Sequence, residues 1–195
     1  MLETWVQKLA STAIAVGSMF FTSITGTNAT FQNPAIDIEG SQIVVSADLH
    51  DCFTEELDRI LQSGKPVRFN YRVEIFQKLD GNAKEDTVVL AKEFYHQVRY
   101  NLVDNFYRIY ISENGETEDV LSIGEVHTKL STITNYKVIE ADQLESDKKY
   151  YIRLTAFLHK IQLPGMKEEL DLMSYWNDTA PFLVTQTFDR SMLAL

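Results

Sequence analysis

Cysteine is nearly absent from this chain. Cys52 is the only one in 195 residues, so no internal disulfide can form, and a domain of this size must hold by burial of a core. A solitary cysteine beside Phe53 is expected to pack as a small hydrophobe. Glycine and proline are few, at eight and four, and no linker, repeat or low-complexity tract interrupts the chain. Basic residues are also scarce. Eighteen Lys and Arg stand against 28 Asp and Glu, a net charge of −10. Phosphate backbones are bound by clustered cations, so this balance argues against nucleic acid. It argues equally against tight adhesion of the folded domain to anionic lipid. Its plainest consequence is solubility. Assembled catalytic motifs are missing too. There is no G-x-S-x-G, no H-E-x-x-H and no phosphate loop, and no catalytic residue, cofactor or metal ligand is assigned.

What is present begins at the amino terminus. Leu9 to Gly26 is a run without charge. One lysine, Lys8, precedes it, and Thr27-Asn28-Ala29 follows with small residues at the two positions a signal peptidase inspects. That layout resembles a secretory leader over residues 1–29, leaving residues 30–195 as one extracytoplasmic domain. The run is shorter and more polar than the roughly 20 apolar residues of a membrane span. An uncleaved anchor and a buried amphipathic helix are the alternatives.

The body has the period-two pattern of half-buried strands. Val67, Phe69, Tyr71, Val73 and Ile75 alternate with Arg68, Asn70, Arg72 and Glu74. Similar sets run through Ile43 to Leu49, Phe94 to Leu102 and Ile152 to Leu158. Asp80-Gly81 and Asn114-Gly115 are dipeptides suited to tight hairpin turns. Two short helices are expected. Thr54 caps the first, with Leu57, Ile60 and Leu61 on one face, and Gly64 and Pro66 end it. Ser122 and Glu125 form the capping box of the second, with Val126, Leu130 and Ile133 inward. The segment from Leu163 to Pro181 looks irregular, and Phe182 to Phe188 is a closing strand. The sum is all-β: one antiparallel β-sandwich of about seven or eight strands with two short helices.

Few residues suggest chemistry. His50-Asp51-Cys52 carries three metal-capable side chains, but zinc sites use paired ligands, and no second pair lies near. A nucleophilic Cys52 would need His96, His127 or His159 brought beside it by the fold. Arg68, Arg72, Arg99, Arg108 and Arg153 all lie on strands. They make either a solvated sheet face with cross-strand ion pairs or a patch for an acidic ligand. Met173, Tyr175 and Trp176 place unusual bulk in an irregular stretch, and they are the candidate contact site for a protein partner.

Certain segments carry a resemblance. They are Phe53-Thr-Glu-Glu-Leu57, Ile60-Leu61, Gly64-Lys-Pro66-Val67-Arg-Phe69 and Val73-Glu-Ile75, followed by Tyr100-Asn-Leu102 and Phe106-Tyr107-Arg108-Ile109. The short helix around Ile123 to Leu130, Tyr151-Ile152-Arg153-Leu154 and Leu163-Pro164 continue it. The chain resembles an uncharacterised family of secreted bacterial envelope proteins, catalogued only as a domain of unknown function. The likeness runs over about residues 35 to 175. It departs at the closing strand, where that family tends toward tryptophan and this chain has Phe182 to Phe188. It implies a β-rich extracytoplasmic domain and transfers no catalytic residue.

The functional expectation is a non-enzymatic binding or accessory module of the bacterial envelope, with an envelope protein as partner. A carrier of an apolar ligand and a hydrolase or metal-dependent protein using His50, Cys52 or another histidine are the rivals.

Overall fold

A computed structural model of the chain describes residues 26–79 and 86–193. Most of the leader, residues 1–25, and the Asp80-Gly81 turn lie outside the described residues. Eight strands of five or more residues form the frame: β1 (Thr30–Glu39), β2 (Gln42–His50), β3 (Val67–Lys78), β4 (Thr87–Asn101), β5 (Phe106–Ile111), β6 (Glu116–Val120), β7 (Thr132–Glu140) and β8 (Lys149–Leu158). Four fragments of two or three residues follow: β9 (Lys160–Ile161), β10 (Leu170–Asp171), β11 (Phe182–Val184) and β12 (Phe188–Asp189). Helix α1 (Glu55–Leu61) sits between β2 and β3, α2 (Ile123–Ser131) between β6 and β7, and α3 (Arg190–Leu193) closes the described chain.

The strands make two main antiparallel sheets. The larger has seven strands in the order β11-β8-β3-β4-β5-β6, with β12 also paired to β8. The smaller has the order β1-β2-β7. Their inner faces and the two longer helices enclose one core, which is the sandwich expected from the alternation. In β3 the inward set Val67, Phe69, Tyr71, Val73 and Ile75 is fully buried. Ile152, Leu154, Ala156 and Leu158 of β8 do the same beside it. Phe94 of β4 stacks on Tyr136 of β7 with ring centres 4.0 Å apart, and the Tyr71 hydroxyl donates to the Leu130 carbonyl at 2.5 Å. Aromatic contact thus joins the two sheets, and a satisfied hydroxyl ties the larger sheet to α2.

Local chemistry places the helices. Thr54 Oγ1 accepts the Leu57 N–H at 3.1 Å. Ser122 and Glu125 exchange side-chain and backbone bonds in a complete capping box. Gly64 has φ +78°, a left-handed conformation that favours glycine, and a Cβ there would push the Leu102 side chain, 2.9 Å away, aside. Gly115, at φ +72°, turns β5 into β6.

The structure amends the sequence expectations at four places. Ile133 is buried, but from β7: the chain leaves the helix at Ser131 and runs straight into an edge strand. At the end of β4, Leu102 is exposed, because the chain there is already turning toward β5. The closing strand is split, since Phe182–Val184 pairs with β8 around Leu154 whereas Phe188–Asp189 pairs with its start. The stretch from 163 to 181 is partly ordered by a buried 3-10 turn, Leu172–Trp176. Among the described residues, no helix is long and apolar enough to cross a membrane.

Candidate functional site

The fold brings four of the chemically active side chains, His50, Asp51, Cys52 and His127, to one cleft. A depression of about 410 Å³ is lined by His50, Asp51, Cys52, Phe53 and His127, among others. Asp51 turns the chain out of β2 with φ +53°. That turn sends Cys52 inward, where it is 1% exposed and its thiol lies 3.3 Å from the Leu49 carbonyl. Burial pushes the Cys52 thiol up to about 12; a backbone hydrogen bond opposes it, and the nearby carboxylates Asp51 and Asp58 add smaller upward contributions. A nucleophilic thiol needs the opposite environment.

His127 is occupied otherwise. Its Nε2 lies 2.6 Å from Asp58 Oδ1 of α1, and its ring stacks on Phe53 at 3.8 Å. This pair clamps α1 to α2 over the end of the core. His96 lies away from the cleft, 1% exposed, with Nε2 2.7 Å from Glu113 Oε1. His159 is exposed and meets Phe157 edge-on. Among the described residues, no three His, Cys, Asp or Glu side chains are arranged to hold a metal ion.

Tyr175 and Trp176 are core residues, at 0% and 1% exposure, and Met173 is half-buried. The expectation of an exposed contact patch at Met173, Tyr175 and Trp176 is therefore corrected. The 3-10 turn rolls Tyr175 and Trp176 inward, where Trp176 meets Phe69 edge-on with ring centres 5.6 Å apart. Bulky side chains in an irregular stretch served to close the core, because irregular backbone can be buried where its polar groups are bonded. Asp171 caps that turn by accepting from the Met173 N–H, and Thr27 N–H donates to the Tyr175 carbonyl at 2.9 Å.

The outer face of the larger sheet has a different character. Because β3 buries its odd-numbered residues, its even ones point outward, and the register aligns them with outward residues on both sides. All five strand arginines emerge there: Arg68 and Arg72 from β3, Arg99 from β4, Arg108 from β5 and Arg153 from β8. They are five of the chain's seven arginines. Four of them lie over aromatic rings. Arg68 covers Tyr95 at 4.4 Å, Arg153 covers Phe76 at 4.7 Å, Arg108 covers Phe106 at 5.2 Å and Arg72 covers Phe157 at 5.8 Å. Such contacts favour a cation held over the ring face.

Carboxylates answer only two of the five. Arg72 pairs with Glu93 directly across the ladder. Arg108 makes two 2.8 Å bonds to Asp119, which hold that carboxyl below its ordinary range. Among the described residues, no carboxylate lies within 4.0 Å of Arg68, Arg99 or Arg153. Arg68 bonds the Gln97 side chain, Arg99 the Gly64 carbonyl, and the Arg153 Nε is buried without a partner among the described residues. Beside Arg153, β11 adds Phe182 and Val184, 66% and 43% exposed. The sequence pattern shows these arginines on strands. Their aromatic partners escape it because three of the four rings come from another strand.

A protein-family model described as a domain of unknown function, DUF4390, matches residues 27–177. The match spans most of the chain, which therefore belongs to that family. No curated protein and no solved structure matches it.

Proposed function

We propose that this member of the DUF4390 family is a non-enzymatic binding or accessory module of the bacterial envelope, working outside the cytoplasm through the outer face of its larger sheet. The observation that carries the reading is the arginine–aromatic face. A chain with a net charge of −10 gathers five of its seven arginines on one sheet surface and holds four of them on rings. Pre-ordered guanidinium groups and aromatics are the residue types enriched where proteins recognise one another. An open sheet face with exposed apolar residues at one margin suits a protein partner better than an enclosed ligand. The space between the sheets supports the same preference over an apolar carrier, since Tyr71, Phe94, Tyr136, Leu130 and Ile152 fill it.

The location rests on the uncharged run from Leu9 and the small residues after it. Fractionation of the expressed chain with intact-mass measurement tests it. A shortened species in the envelope supports the reading, and a full-length soluble cytoplasmic species defeats it. For the surface, a photo-reactive amino acid placed at Gln97 or Thr155 on the outer face is compared with one at Asp37 on β1. A discrete cross-linked adduct from the face positions and none from Asp37 is expected. Equal labelling from all three sites would remove the face as the contact surface.

A further inference from the structure

Resting on that reading of the sheet face, we infer that its partner is an extended acidic polypeptide segment, with carboxylates set to meet Arg68, Arg99 and Arg153 and an apolar residue set to meet Phe182 and Val184. The three cations are chosen by what surrounds them. Arg72 and Arg108 already have carboxylate partners, while Arg68, Arg99 and Arg153 make their bonds with amide, carbonyl or ring groups. A guanidinium presents a planar fork suited to bidentate carboxylate binding.

The register supplies the spacing. Arg68 faces Gln97 across the β3–β4 ladder, and Arg99 is two residues beyond Gln97. The two arginines are therefore diagonal neighbours on one face, about 7–8 Å apart at the backbone. Alternate side chains of an extended peptide are separated by about 6.8 Å. Arg153 faces Glu74 across the β3–β8 ladder, six residues along β3 from Arg68. That is about 20 Å at the strand rise, or about six more residues of extended peptide. Val184 lies directly opposite Arg153 and Phe182 opposite Thr155, so the apolar margin adjoins the third cation. A segment with acidic residues at positions 1, 3 and 9 and a large apolar residue at 11 would cross the face diagonally from β4 to β11.

Charge selects a polypeptide over a continuous polyanion. Glu74, Glu93 and Asp119 stand on the same face among the arginines. A nucleic acid or an anionic membrane would bring unbroken negative charge against them and against the acidic remainder of the molecule. A peptide can place its carboxylates singly and leave neutral residues over the acidic positions.

The test uses the full chain and a synthetic eleven-residue peptide carrying Glu at 1, 3 and 9 and Leu at 11. A second peptide carries Gln at the three acidic positions, and an oligonucleotide and phosphatidylglycerol vesicles serve as competing probes. Binding is measured by titration at low salt. The acidic peptide is expected to bind at least tenfold more tightly than its Gln counterpart. Arg68→Glu and Arg99→Glu, both at exposed positions, should each weaken it about tenfold while the circular dichroism spectrum and Tm stay near wild type. The milder Arg68→Gln should give a smaller loss in the same direction. Equal binding of the two peptides, no binding of either, or tighter binding of oligonucleotide or vesicles would overturn the acidic-segment inference. The surface reading stands or falls separately, on the cross-links from Gln97 and Thr155. Adducts from those sites together with equal peptide binding would leave the face as a contact surface for a partner of other chemistry.

Discussion

The indole N–H of Trp176 donates to the backbone carbonyl of Cys52 at 2.9 Å, joining positions 124 residues apart. Both residues are buried, so the bond fixes the loop after β2 against the 3-10 turn that seals the core. Trp176→Phe keeps most of the packing but strands a buried carbonyl, and it should cost about 1–3 kcal/mol. Trp176→Ala should cost about 3–5 kcal/mol through the cavity it leaves. Chemical denaturation measures both. A loss under 0.5 kcal/mol in the alanine variant would mean that Trp176 is not a core residue.

Cys52 predicts a weakening of the fold at high pH. Its thiol ionises at an ordinary 9.0 in the unfolded chain and at about 12 in the native one. Between those values the unfolded state binds fewer protons than the native state, so stability falls as pH rises from 9 toward 12. Tyr175, pushed by burial from 10.0 to about 12, acts in the same direction. Cys52→Ala should therefore flatten the decline without abolishing it. A thiol-alkylating reagent at pH 8 should label the native protein only as fast as it opens, and immediate labelling would contradict the burial.

His96 and Glu113 form a second relationship, between a buried ring and a carboxylate at the surface. The His96 ring packs against both Tyr71 and Phe94, with one nitrogen bonded to Glu113 and the other, Nδ1, without a partner among the described residues. Glu113→Ala would leave both nitrogens unsatisfied and should destabilise the fold by about 1–3 kcal/mol. His96→Phe removes the polar ring and should cost less. The reverse order in denaturation midpoints would show that the hydrogen bond to Glu113 is not what holds this ring.

The junction with the leader gives a fourth expectation. Thr27 N–H bonds the Tyr175 carbonyl, the Asn177 amide donates to Asn28 at 2.8 Å, and Ala29 is 9% exposed. These residues precede the cut site that the small-residue pattern suggests. A chain starting at Thr30 should be about 1–2 kcal/mol less stable than one starting at Gly26, since each lost hydrogen bond is worth about 0.5–1.5 kcal/mol. Equal midpoints would mean that Thr27 to Ala29 add nothing to the folded domain.

The capping box of α2 is a smaller and cleaner probe. Ser122→Ala removes the acceptor for the Glu125 N–H and should cost about 1 kcal/mol. The Glu125 carboxyl is held below its ordinary range by its bonds to Ser122. A depressed carboxyl stabilises above its unfolded value and loses that contribution as pH falls through its native one. The Ser122→Ala deficit should accordingly shrink as pH falls below the ordinary 4.5 of a glutamate.

The amino-acid sequence by itself determined what depends on near neighbours. The inward set Val67 to Ile75, the Thr54 and Ser122 caps, the glycine at 64 and the antiparallel all-β class were legible because each follows from period-two burial or from bonds reaching three residues. Tertiary structure alone decided what depends on register and on exclusion of water. Strand β7 is masked in sequence by the helix that runs into it. The burial of Trp176 is invisible because irregular sequence looks the same exposed or covered. The pairing of Arg153 with Phe76, and of Arg72 with Phe157, exists only once β3 and β8 are set side by side. A shift of one residue in that ladder would turn the arginines of β8 and β3 to opposite faces, so the surface proposed here is a property of the register and of no single segment.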